Sequence, residues 1–364
     1  MKKILISGYY GFKNSGDDAL LKSITQDLKK YKNDVRIVVL SRNPKETTRL
    51  YGVESINRMN LFAVLSALLR CDMLISGGGT LVQDGTSTKS LLYYLSIISC
   101  AKLFGRRVML YSNGIGPLKD ENVKHTRDVL NKVDVITLRD QMSFDELKRI
   151  GVTKPKIILT ADPAFNLESA PREVGRGILE KLGVPKEKRL LCISVRPWKN
   201  LGAAFEDTIA RAADYAARQF GFYTVFLPMQ EKSDYAISKR IQEKMETASK
   251  IVLPDADISG MLAVIGEMDL CIGMRLHSLI YAVTKKVPVI GLVYDPKVAG
   301  FMEYMQQHRY LQVDTLAFDA LKGYMDDCME HYEQTVADLE AQLQVLKQKA
   351  EENAKYAIDL LEEC

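Results

Sequence analysis

Short apolar runs, each followed by a helical stretch, recur along almost the whole chain, and this rhythm constrains the fold more than any single motif. In the first half the runs fall at residues 4–7, 35–40, 73–76, 108–111, 135–138 and 157–159. Helical patterns separate them, at 18–30, 61–69, 90–104, 122–132 and 142–150. The runs do not alternate apolar with polar residues. They therefore read as strands buried on both faces, which means a parallel sheet with helices on either side. Residues 161–171 break the rhythm and read as a linker. It then restarts, with strands at 190–195, 224–227, 251–253, 270–272 and 287–292, and helices at 203–219, 235–246, 258–265 and 278–285. Two α/β halves follow, spanning 1–165 and 172–330, with a cleft expected between their facing strand ends. Residues 331–364 read as one charged helix whose apolar spacing, through Val336, Leu339, Leu343, Leu346, Ala350, Ala354, Ile358 and Leu361, suits packing along a domain or a partner.

Bulk properties narrow the function. A chain of 364 residues suits two domains, and a net charge of +4 is too small for a dedicated nucleic-acid binder. The six cysteines form no CxxC pair, so reduced thiols in a cytoplasmic protein are expected, with neither a metal site nor a disulfide framework. The start, Met1-Lys-Lys-Ile-Leu-Ile, reads as a strand and not a signal peptide. No apolar stretch reaches the roughly 18–20 residues a bilayer span needs. Residues 91–104 are apolar nearly all round and are flanked by Lys89, Lys102, Arg106 and Arg107. A buried helix is the plainer reading, and peripheral membrane contact is the other.

Polar motifs sit at predicted strand ends. The first strand leads into Gly8-Tyr-Tyr-Gly-Phe-Lys-Asn-Ser-Gly-Asp-Asp18, which is neither a dinucleotide fingerprint nor a P-loop. Gly11 and Gly16 allow close approach, while Asn14, Ser15, Asp17 and Asp18 gather polar groups at a helix start. Asp17 fits either a helix N-cap or a proton acceptor for a bound hydroxyl. Gly77-Gly78-Gly79 would leave backbone amides open to a ligand, and Gln83 and Asp84 suit sugar hydroxyls. Asn113-Gly-Ile-Gly-Pro117 adds another flexible turn.

In the second half, Cys271-Ile-Gly-Met-Arg-Leu-His-Ser278 places Arg275 and His277 where a strand meets a helix. Free amides and the helix dipole favour an anion there, and arginine adds bidentate donors. Histidine exchanges a proton near neutral pH. Arg196 ends another strand ahead of Pro197 and Trp198, and Lys297 follows the strand at 287–292. Basic groups at several strand ends suit a ligand with a phosphate and a carboxylate.

The ordered set of Asn14 to Asp17, Gly77-Gly-Gly79, Leu138-Arg-Asp140, Asp162-Pro163, Arg196-Pro-Trp198, Met274-Arg-Leu-His277 and Tyr294-Asp-Pro-Lys297 resembles the polysaccharide pyruvyltransferases. The closest resemblance is to the CsaB type, which acts on secondary cell wall polymers and serves S-layer anchoring. The resemblance implies an α/β, GT-B-like pair of Rossmann-type domains, acceptor-binding in the N-terminal half and donor-binding in the C-terminal half. It implies transfer of pyruvyl from phosphoenolpyruvate, a substrate and not a cofactor, to two hydroxyls of one sugar, giving a cyclic 4,6-ketal and phosphate. The implied acceptor is a β-N-acetylmannosamine on a lipid-linked precursor at the cytoplasmic face of the membrane. On that basis Arg196, Arg275, Leu276 and His277 would hold phosphoenolpyruvate and Lys297 would support its phosphate; from its chemistry His277 is the expected acid, near the methylene carbon or the leaving phosphate. Asn14, Gly16, Asp17, Gly78, Gly79, Gln83 and Asp84 face the acceptor. Its base is Asp17, or else Asp18 or Asp84. Arg139 reads as a structural partner of Asp140. A nucleotide-sugar glycosyltransferase shares this architecture and is the rival reading, although the helix after Arg275 lacks the acid that would hold a ribose.

Overall fold

The computed structural model describes residues 1–85, 87–199, 201–252 and 257–363. Leu253, the expected end of a strand, and Cys364 lie outside them. The chain forms two compact units, Met1–Leu167 with Leu346–Cys364, and Glu168–Val345.

The first unit is built on seven strands: β1 (Lys3–Tyr10), β2 (Arg36–Ser41), β3 (Glu54–Asn57), β4 (Met73–Gly77), β5 (Arg107–Asn113), β6 (Val135–Leu138) and β7 (Lys156–Leu159). Its helices are α1 (Ser15–Tyr31), α2 (Pro44–Tyr51), α3 (Leu61–Arg70), α4 (Thr88–Leu103), α5 (Asp120–Leu130) and α6 (Gln141–Ile150). The strand order is β3-β2-β1-β4-β5-β6-β7 and every pairing is parallel. Strand residues alternate between two cores. Leu5, Leu74, Val108 and Leu110 join one, while Ile4, Ile6, Met73, Ile75 and Met109 join the other. This two-sided burial is why the runs carry no polar alternation. The chain winds outward from β1 in one direction and from β4 in the other. The carboxyl ends of β1 and β4 therefore flank the topological switch point, where open α/β sheets place ligands.

The second unit repeats the scheme with β8 (Arg189–Ser194), β9 (Phe222–Phe226), β10 (Ser249–Ile251), β11 (Leu270–Gly273), β12 (Val289–Val293) and β13 (Tyr310–Gln312). Its helices are α7 (Arg172–Lys181), α8 (Ala203–Phe220), α9 (Glu231–Lys244), α10 (Ile258–Ile265), α11 (Leu276–Thr284), α12 (Pro296–Tyr304) and α13 (Phe318–Glu330). The order β10-β9-β8-β11-β12-β13 is again parallel, and its switch point lies between β8 and β11. Each unit is a Rossmann-type α/β/α layer structure, and together they make the architecture GT-B-like.

The tail differs from its sequence-derived division. Helix α14 (Tyr332–Glu362) contributes to both units, to the second up to Val345 and to the first from Leu346. In the first unit Ala357, Ile358, Leu360 and Leu361 enter the core beside β1 and β4. The fully buried Asn353 accepts from Thr160 Oγ1 at 2.8 Å and donates to the Ala161 carbonyl at 3.0 Å. Part of the stripe that reads as packing along a domain or a partner thus completes a core. Strands β3 and β13 went unforeseen because both are short, partly exposed edges with polar residues. No helix among the described residues is long and apolar enough to cross a membrane.

Candidate active site

In the first unit the loop after β1 is held from both sides. Tyr10 donates its hydroxyl to the Gly77 carbonyl at 2.6 Å, tying the end of β1 to that of β4. Asn14 is the N-cap of α1, and its side chain accepts from the Gly16 amide at 3.1 Å. Asp17 is therefore not the cap. It lies in the first helical turn and faces the glycine turn, with its Oδ1 3.3 Å from where a Gly79 Cβ would stand. Gly78 and Gly79 have φ of +65° and +71°, and a Cβ on Gly78 would press on Leu20 at 3.0 Å. Only glycine lets this turn pass so close to α1. Burial first and then the Asp17 charge push up the phenols of Tyr9 and Tyr10.

Two expectations need correction here. The Gly78 amide, expected to be open, donates to the Tyr111 carbonyl at 2.9 Å. Asp84 is buried, and it accepts from the Lys119 amide at 3.0 Å and from Asn122 Nδ2 at 2.6 Å. Its carboxylate clamps the loop after β4 to the loop after β5, so its oxygens, expected to be open to a sugar, already hold the fold together. The neighbouring Gln83 is half-buried. Asp18 turns toward α2. Burial raises its pKa to about 6, against a hydrogen bond from Tyr51 that lowers it and with Glu46 raising it further. Of the three acids considered, Asp17 alone meets the glycine turn at the switch point.

Beneath this turn lies Arg139. Its Nη1 meets Asp162 at 3.0 Å, its Nη2 donates to Thr80 Oγ1 at 3.0 Å, and its Nε is 3.5 Å from Asp140. Burial opposes its charge, but Asp162 and Asp140 outweigh that and raise its pKa, with a further contribution from Asp17. The motifs Leu138-Arg-Asp140 and Asp162-Pro163 are thus two halves of one buried ion pair. Asp140 N-caps α6, and Asp162 accepts from the Ala164 amide.

The second unit has the opposite charge at its switch point. Arg196, after β8, lies 4.9 Å from the Tyr294 ring centroid and 5.3 Å from that of Trp198. Its Nη1 donates to the Tyr294 hydroxyl at 3.2 Å. Lys297 reaches the same Tyr294 ring at 5.5 Å and pairs with Asp295 at 3.5 Å. The Trp198 and Tyr294 rings meet edge to face at 4.8 Å. Trp198 therefore packs, and Tyr294 is the post around which two cations collect.

Arg275 occupies the N-cap position of α11, with no capping bond from its side chain. Its Nε and Nη2 grip Asp234 at 2.9 and 2.6 Å, and Nη2 also donates to Gln230 Oε1 at 3.1 Å. One edge of the guanidinium, expected to be free for a ligand, is thus committed to a fully buried carboxylate. Asp234 also accepts from the Met229 and Gln230 amides. The pair joins the loop after β9 to the loop after β11 and sets the arginine's direction. Leu276 is buried, so its side chain belongs to the core, and only its backbone faces the helix start. His277 is half-buried, with its ring centroid 6.1 Å from that of Tyr281.

Sequence reasoning missed Asp234 and Arg58, and named Tyr294 within a motif without giving it a role. Asp234 follows a predicted strand and was open to the same strand-end argument as Arg275. Arg58 gives no sequence signal. It donates to the Gly8 carbonyl at 3.0 Å and lies 4.3 Å from the Tyr93 ring centroid. Among the described residues no group of His, Cys, Asp and Glu could hold a metal ion.

Comparison with known proteins gives the fold and the family separately. The solved structure of Anabaena Alr3699/HepE in complex with UDP-glucose matches with a TM-score of 0.68 at 13% identity, covering 100% of both chains. A glycosyltransferase from Rickettsia africae matches at 0.65 and 12%, over 100% of this chain and 98% of the other. UDP-GlcNAc 2-epimerase from Neisseria meningitidis matches at 0.66 and 11%, over 100% of both. Likeness at such identities speaks for the fold alone. The Amylovoran biosynthesis protein AmsJ of Erwinia amylovora is 22% identical over 410 residues, covering 95% of this chain and 97% of the relative. The model of the family Polysaccharide pyruvyl transferase matches residues 14–296, which run from the Asn14 cap to the start of α12. The chain therefore belongs to the polysaccharide pyruvyl transferase family, enzymes that transfer a pyruvyl group to a saccharide.

Proposed function

We propose that the donor is phosphoenolpyruvate, bound at the switch point of the second unit, and that the acceptor is a lipid-linked cell wall saccharide bound at that of the first. A β-N-acetylmannosamine ketalated across its 4- and 6-hydroxyls is the acceptor we favour, as in the CsaB type. The reading rests on one observation: Arg196 and Lys297 converge on Tyr294 while Arg275, held by Asp234, stands at the end of the intervening strand. Phosphoenolpyruvate carries a phosphate and a carboxylate, and that cation set suits both.

The reaction balances without a cofactor. The methylene carbon takes a proton and becomes a methyl group, which puts cationic character on C2. One sugar hydroxyl attacks C2, the C2–O bond to phosphate breaks, and the second hydroxyl closes the ring. Of the two hydroxyl protons released, one balances the proton on carbon and the other leaves with phosphate. In this scheme His277 supplies the proton, Arg196, Arg275 and Lys297 stabilise the departing phosphate, and Asp17 accepts a hydroxyl proton. Asn14 and Gly16 shape the acceptor loop through the cap. Gly78 and Gly79 bring the turn close, and Gln83 lies within reach of hydroxyls.

Mass spectrometry of a synthetic lipid-linked disaccharide incubated with enzyme and phosphoenolpyruvate tests the proposal. The expected result is a mass gain of one pyruvyl ketal with stoichiometric phosphate. Phosphate release with no change in the saccharide, or no reaction at all, would refute it.

A further inference from the structure

Large apolar side chains are unevenly exposed. In the second unit they are scattered, but in the first they gather on α3 and α4. Phe62 is 86% exposed and Leu103 81%, and Met59, Leu61, Leu69 and Leu92 are also exposed. At about 100° per residue, positions 61, 62, 65 and 69 fall within one arc of α3 of about 100°, while Val64, Ala67 and Leu68 are buried on the adjoining arc. Positions 92 and 103 share one face of α4 by the same geometry. The two helices are tied at both ends. Tyr93 donates to the Arg58 carbonyl at 3.3 Å, and Arg106 donates to the Leu69 carbonyl at 2.8 Å.

Charge says what covers this face. Neither α3 nor α4 contains an Asp or Glu. The nearest acids are engaged elsewhere: Asp72 accepts from the Lys3 amide, and Asp134 pairs with Lys102 and Arg107. Lys102 and Arg107, which attract notice in the sequence, thus share Asp134, and Arg107 also lies 3.7 Å from Glu363. The rim that remains is cationic, made of Arg70, Lys89 and Arg106. A second copy of the chain docking symmetrically here would set these cations against their own kind. Anionic headgroups over acyl chains match both the charge and the apolar stripe.

We propose that α3 and the exposed face of α4 form a docking surface for an anionic phospholipid membrane. The face begins at Met59, next to Arg58, whose guanidinium holds the Gly8 carbonyl beside the Asp17 loop. A saccharide carried on a membrane lipid would thus meet the acceptor loop from its own side. That purpose rests on the proposed function, but membrane binding is measurable without turnover.

The test is vesicle flotation of the full chain, with phosphatidylcholine alone and with phosphatidylcholine containing phosphatidylglycerol. Co-flotation with the anionic vesicles, weakened by added salt, is expected. The double variant Leu61→Ser/Phe62→Ser should bind at least about tenfold more weakly. Its circular dichroism, and its turnover of a water-soluble acceptor where the wild type shows any, should be unchanged. Arg70→Glu/Lys89→Glu should remove the preference for anionic lipid. Wild type that stays unbound, or a serine double variant that floats as well as wild type, overturns the proposal. So does a concentration-dependent dimer in sedimentation that the serine variant abolishes, because that would give the face to self-association. Vesicle binding without pyruvyl transfer would leave this inference standing and remove the assigned reaction.

Discussion

The two units carry nearly the same scaffold and opposite chemistry. Each has a parallel sheet whose switch point opens beside its first strand, β1 in one and β8 in the other. At the first switch point the chain places glycines, an amide cap and Asp17. At the second it places Arg196 and Lys297 around an aromatic post, with Arg275 at the intervening strand end held by Asp234. Even the buried ion pairs are inverted in purpose. Arg139 is sunk between Asp162 and Asp140 to brace the acidic site from below. Asp234 is sunk beside Arg275 and holds that cation at the start of α11. Charge is therefore a property of the strand-end loops, and the sheets serve as interchangeable supports.

The strongest way to break this contrast is at His277. His277→Ala should lower kcat by about 10²–10⁴-fold while circular dichroism stays unchanged. Near-normal phosphate release would separate the cationic unit from the chemistry. Asp17→Asn should lower kcat by about 10²-fold with phosphoenolpyruvate affinity intact. Asp18→Asn should do much less, because Asp18 faces Tyr51, and equal losses in the two variants would blur the acidic site. Arg139→Met leaves Asp162 buried and uncompensated. A loss of about 3–5 kcal/mol in urea unfolding is expected, and a loss well under 1 kcal/mol would mean the pair is not the brace described.

The smallest effect sharpens the acidic side. Burial raises Asp27 in α1 from 3.8 to about 7, although hydrogen bonds from Asn166 and Ser23 work the other way. Its folded state holds a proton that the unfolded chain has released, so its stabilising contribution is full below about pH 4 and is lost as pH rises through about 7. Asp27→Asn should therefore stabilise the protein by about 1–3 kcal/mol at pH 8 and by almost nothing at pH 4. Melting curves at the two pH values check this, and a gain independent of pH would contradict it.

Much of this was legible in the residues because it was local. The runs that became β1, β4, β5, β6, β8, β11 and β12 are short apolar strands, and most of the polar motifs stand just past the end of one. What was not legible depends on pairing across the chain. Arg275 finds Asp234 41 positions away, and Arg139 finds Asp162 23 positions away. Both arginines stood out in the sequence, but neither partner was assigned to them. Asp84 reads as a sugar ligand until Lys119 and Asn122 close on it. The cap of α1 went to Asn14 because its side chain reaches the Gly16 amide, leaving Asp17 one turn inside, and both choices satisfy the same sequence rule. The tail helix was left open for a similar reason. A stripe spaced for packing does not say against what, and part of it completes the core beside β1.

The most direct test is a calorimetric titration of phosphoenolpyruvate into wild type, Arg196→Ala and Asp17→Asn. The account predicts binding by wild type, a loss of about tenfold or more in Arg196→Ala, and unchanged affinity in Asp17→Asn. Binding that survives Arg196→Ala and fails in Asp17→Asn would contradict it, as would wild type that takes up no phosphoenolpyruvate.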